Sequence, residues 1–141
     1  MCRYKCLILQ MSYMDNIPQS IWNLLCDSNI TFVGVQIQEN VRRLKNQCGL
    51  IFSQNIDIHA LVKTWFPLSY KGRPSLKALA YGVAGLGMRR SSSSSKKSWN
   101  CDWELKVLDE ELVECASVDA YASYRIADKL LKEMLSLDGY S

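Results

Sequence analysis

Between Glu110 and Leu135 the sequence EELVECASVDAYASYRIADKLLKEML sets Leu112, Ala116, Ile126, Ala127 and Leu130 at spacings of three and four. That periodicity lays one apolar stripe along a helix, which the fold must cover. Asp119 falls inside the stripe, three residues after Ala116 and seven before Ile126. A carboxylate on a face that seeks burial is costly unless a positive or hydrogen-bonding group holds it. A neighbouring lysine or a loop amide is the ordinary solution, and a divalent cation is the one enzymes often use. The helix alone favours the ordinary solution.

Upstream, strands and helices alternate. Residues 5–11 predict a strand, and residues 18–26 a helix with Pro18 in its opening turn. Residues 31–38 predict a β-branched second strand. The next helix, over residues 41–48, starts near Glu39 or Asn40 and is closed by Gly49. Residues 50–53 fit a third strand, and residues 59–65 a helix stopped by Pro67. Residues 75–81 and 109–137 predict two more helices. Asp109 is placed to cap the last, with Glu110 and Glu111 at the positive end of its dipole. Alternation of this kind argues for an α/β layer structure. With 141 residues and 48% hydrophobic content, one domain over residues 1–141 can bury a modest core.

Several function classes drop out. No apolar run approaches membrane-spanning length, so no membrane role is expected. Arg3 and Lys5 precede an apolar patch, but Gln10, Ser12 and Asp15 interrupt it and no small-residue cleavage site follows. The six cysteines form no CxxC pair, and the interval from Cys101 to Cys115 is not a metal-ligand spacing. They read as scattered core thiols of a reduced intracellular protein. His59 is the only histidine and lies in the first turn of its helix, which argues against a histidine base or a zinc site.

Charge is unevenly distributed. Between Ile58 and Cys101 there is no Asp or Glu, whereas Lys63, Lys71, Arg73, Lys77, Arg89, Arg90, Lys96 and Lys97 are all cationic. From Asp102 onward ten acids face four bases, so the net charge of +3 hides a basic middle and an acidic tail. A basic stretch that also holds Trp65, Tyr70, Tyr81 and Trp99 suits a phosphate backbone with bases to stack upon. Ordinary solvated surface charge explains it equally well. The run Ser91 to Ser95, between Arg89-Arg90 and Lys96-Lys97, marks residues 87–98 as a flexible loop.

Residues 31–50 (TFVGVQIQENVRRLKNQCGL) and 113–126 (VECASVDAYASYRI) together resemble the Werner-syndrome-like 3′–5′ exonuclease domain of the DEDD, ribonuclease H-like nucleases. The resemblance extends in family order through residues 5–27, 55–62, 75–86 and 99–108. It implies a ribonuclease H-like mixed sheet flanked by helices, Mg²⁺ or Mn²⁺ as cofactor, and a DNA or RNA strand end as substrate. It also implies a nuclear or cytoplasmic location, with the Lys96-Lys97 pair leaning towards the nucleus.

The family's site has an Asp and a Glu on a first strand, an Asp after a later strand, and an Asp in the last helix with a tyrosine four residues before it. By resemblance Asp119 is the last Asp, Cys115 stands at the tyrosine position and Asn40 at the middle Asp position. The first-strand carboxylates would precede Arg3. The expectation is thus a degenerate domain lacking its first strand pair, with weak metal binding at Asp119. Lys71, Arg73, Lys77, Arg89, Arg90, Lys96 and Lys97 are the candidate strand contacts. A protein partner or a second copy could complete the sheet.

Overall fold

The computed structural model describes residues 5–67, 69, 72–88 and 107–138. Its first helix, α1 (Gln19–Cys26), begins directly after Pro18. Strand β1 (Phe32–Gly34) leads through α2 (Ile37–Cys48) to β2 (Asn55–Asp57). The two strands pair in parallel, with Phe32 opposite Asn55, Val33 opposite Ile56 and Gly34 opposite Asp57. A parallel pair needs a crossover, and α2 supplies it. Helices α3 (Ile58–Trp65), α4 (Leu76–Ala84) and α5 (Glu110–Asp138) complete the mixed α/β architecture.

The helix ends follow from local chemistry. Asp57 caps α3 by accepting from the His59 amide at 2.8 Å, and Ser75 caps α4 by accepting from the Ala78 amide at 3.1 Å. The Asp109 carboxylate accepts from the Glu111 amide at 3.3 Å at the start of α5. Gly49 closes α2 at φ 71°, where its amide reaches the Lys45 carbonyl and the Leu50 amide the Leu44 carbonyl. A side chain is strained in that left-handed conformation. Gly85 ends α4 in the same way.

Helix α5 is the spine. Leu112, Ala122, Ile126, Ala127 and Leu130 are buried along it, while Ala116 is half-buried. This face packs on α4, α3 and β1. Leu79, Ala80 and Val83 come from α4, and Ile58, Leu61 and Val62 from α3, with Val33 and Val35 at the margin. Among the described residues no helix is long and apolar enough to cross a membrane.

Four sequence expectations are corrected. Residues 5–10 form no strand, and residues 11–13 curl into a 3-10 turn closed by the Tyr13 amide on the Gln10 carbonyl. An extended segment becomes a strand only when a neighbour takes its backbone groups, and no such ladder forms among the described residues. Residues 50–53 are not a strand either. The Ser53 amide is taken by the Leu25 carbonyl at 2.9 Å, so pairing begins two residues later, at Asn55.

The strand expected over residues 31–38 shrinks to three residues. Gln36 adopts φ 55° and turns the chain directly into α2 at Ile37. Nor are the cysteines all core thiols. Cys6 and Cys26 are exposed, Cys48 is half-buried and Cys115 is buried. From residue 89 onward, the loop expected over residues 87–98 lies outside the described residues.

Candidate functional site

Asp119 occupies the middle of α5, half-buried, with its Oδ1 shielded from solvent. Its backbone carbonyl accepts from the hydroxyl of buried Ser123 at 2.9 Å. Cys115 lies one helical turn earlier, about 6 Å along the axis, on the same face and buried. The structure therefore brings Asp119 and Cys115 onto one face of the same helix. Both sit on the helix that packs against β1, α3 and α4.

Asn40 is not part of that arrangement. The early start of α2 places it in the first helical turn with its side chain exposed. Its neighbour Glu39 is engaged on the helix surface, 2.7 Å from the Arg42 guanidinium and 3.5 Å from that of Arg43. The hydrogen bond from Arg42 is the main reason the Glu39 carboxyl is held below the usual carboxylate range. Among the described residues, no three or more His, Cys, Asp or Glu side chains gather where they could hold a metal ion. A two-cation centre needs several convergent carboxylates, and Mg²⁺ requires a near-octahedral set of oxygens. Asp119, a buried thiol and an exposed carboxamide do not fit it.

Of the expected strand contacts, Arg73 and Lys77 are described, and both are exposed on either side of the Ser75 cap of α4. Their charges reinforce the positive end of the α4 dipole, an arrangement that attracts phosphate. Behind them, the His59 ring Nε2 lies 2.8 Å from the Pro74 carbonyl and ties this corner to α3. Lys71, Arg89, Arg90, Lys96 and Lys97 lie outside the described residues. Tyr81 is exposed as a stacking residue would be, whereas Trp65 packs against the core and is unsuited to stacking.

One feature is not evident from the sequence. A cavity of about 520 Å³ runs along α5, lined by Ser117, Val118, Ala120, Tyr121 and Tyr124 with Lys5 and Cys6. Arg125 donates to the Tyr121 hydroxyl at 2.8 Å, and its guanidinium lies 5.7 Å from the ring centroid. The available signal was the pair of tyrosines three residues apart, which place two rings on one side of a helix.

The profile of the 3′–5′ exonuclease family matches residues 3–135. Exonuclease 3′-5′ domain-containing protein 2 of Drosophila melanogaster is 24% identical over 132 residues, 92% of this chain and 21% of the fly protein. NrnC of Brucella melitensis superimposes with a TM-score of 0.67 at 20% identity, covering 91% of this chain and 57% of its own. That superposition identifies the fold as ribonuclease H-like. The EXD2 exonuclease domain, solved from crystals soaked in Mn and Mg, is 25% identical and covers 83% of this chain and 56% of its own, with a TM-score of 0.37. The chain spans between about a fifth and three fifths of the length of the curated relatives it matches.

Proposed function

The chain belongs to the 3′–5′ exonuclease family, and on that premise we propose that it binds a nucleic-acid strand through its basic middle while its hydrolytic step is impaired. Nucleic acid is the substrate class of the family. The observation that carries the impairment is the composition of the site around Asp119. Buried Cys115 stands one turn away, Asn40 is exposed on another helix, and no metal-ligating cluster forms among the described residues. A cysteine side chain has no phenol and is too short to put a proton-bearing group where a tyrosine hydroxyl would stand, and a carboxamide brings no charge to a cation. Exposed Arg73 and Lys77 at the positive end of α4 support the binding half of the proposal.

The test uses single-stranded and recessed-end substrates with Mg²⁺ or Mn²⁺. Binding is expected to weaken steeply with added salt, with no progressive loss of 3′ nucleotides. Reversing Lys71, Arg73 and Lys77 to Glu should weaken binding at least about 10-fold, whatever the strand sequence. Robust metal-dependent trimming that disappears in Asp119→Ala would overturn the impairment. Unchanged affinity in the triple variant would return the basic stretch to ordinary surface.

A second reading has its own support. Residues 5–10 form no regular element, and Leu7 and Leu9 are exposed. Exposed leucines on a segment of this kind invite a strand from a protein partner or a second copy. Oligomers that dissociate in Leu7→Lys would favour that reading, whereas a monomer at all concentrations would oppose self-association.

A further inference from the structure

We propose that the groove formed by Tyr121, Tyr124 and Lys5 seats a nucleobase of the bound strand, with the adjoining phosphate facing Lys5. The inference rests on the strand-binding reading above and names a contact that the expected basic residues do not provide. The groove lies on a flank of α5, with lining residues on both sides of Asp119 along the helix, and holds about 520 Å³. That volume falls within the roughly 300–1,000 Å³ range of small-molecule sites.

Its lining is chemically one-sided. Val118, Ala120 and the two tyrosines supply apolar and aromatic surface, and none of the lining residues is acidic. Lys5 is the cation of the set and is exposed. An apolar slot with a cation and no carboxylate complements a flat aromatic base joined to an anion. An acidic or purely hydrophobic ligand would use only half of it.

The two rings have different roles. Tyr121 is half-buried and held by Arg125, through both the 2.8 Å hydrogen bond and the guanidinium near its ring. Tyr121 is thereby the fixed wall, and Arg125 adds positive potential behind it. Tyr124 is 42% exposed and presents ring surface to an incoming base. Stacking of this kind tolerates any base, because every base has a π-face.

The experiment measures binding of a fluorescent single-stranded oligonucleotide to the whole chain, with folding of each variant checked by circular dichroism. Tyr124→Ala is expected to lose about 10-fold in affinity with an unchanged salt slope, and Tyr124→Trp to retain it. Lys5→Glu should weaken binding and flatten the salt slope. An abasic nucleotide at the contacted position should cost wild type as much as Tyr124→Ala does, and should cost Tyr124→Ala little more. A folded Tyr124→Ala that binds like wild type overturns the nucleobase site while leaving strand binding intact. The nucleobase site falls equally if Tyr124→Ala disrupts only self-association, since a protein would then occupy the groove. Wild type that binds no strand overturns both proposals.

Discussion

The ring of His59, in the first turn of α3, lies 2.8 Å from the carbonyl oxygen of Pro74, fifteen residues away and just before the cap of α4. This contact crosses the basic stretch and sets the entry of α4, where Arg73 and Lys77 stand exposed. His59→Ala should cost about 1 kcal/mol of stability, the typical worth of a partly buried hydrogen bond. Urea unfolding reads the loss, and the strand affinity of the folded variant should fall modestly because the α4 corner loosens.

Core substitutions along α5 should divide sharply by burial. Ile126 is fully buried among residues of α3 and α4, so Ile126→Ala should cost about 2–5 kcal/mol and Ile126→Val about 0.5–1.5 kcal/mol. Leu135 lies on the same helix but is 73% exposed, and Leu135→Ala should stay within about 0.5 kcal/mol of wild type. Equal losses at the two positions would refute the packing described for α5.

Metal dependence offers a direct test of the site. A cation that binds only the folded state raises the unfolding temperature. Because the residues around Asp119 do not fit a two-cation centre, millimolar Mg²⁺ or its removal by chelation should shift the melting point by less than about 1 °C. A larger rise that vanishes in Asp119→Asn would reveal a cation site there.

The Glu39 carboxyl should titrate below the usual range, because Arg42 foremost, and Arg43 secondarily, favour its charged form. A depressed folded value means the interaction stabilises above the unfolded carboxylate pKa and is lost as pH falls through the folded value. Arg42 stays protonated throughout and adds no pH dependence. Carboxyl carbon shifts measured by NMR should show a low midpoint for Glu39 that moves upward in Arg42→Ala. No upward movement would remove Arg42 as the cause.

Periodicity and capping chemistry were legible in the chain from the start. The stripe through Leu112, Ile126 and Leu130 specified the buried face of α5, and Asp109 and Gly49 specified helix ends through hydrogen bonds made within a few residues. Local interactions of this kind are encoded in adjacent side chains and need no distant partner. The residues of the candidate site were equally visible as a resemblance, including the thiol of Cys115 and the carboxamide of Asn40.

Tertiary structure decided the rest, because strands and sites depend on partners far along the chain. Residues 5–10 are apolar enough for a strand, yet form no ladder among the described residues. Ser53 is claimed by Leu25, so pairing moves to Asn55. The left-handed turn at Gln36 starts α2 early and puts Asn40 on its exposed surface, while Cys115 and Asp119 remain together because one helix carries both. The groove beside Tyr121 and Tyr124 exists because residues 5 and 6 lie against α5. That proximity spans more than a hundred residues, and no local pattern encodes it.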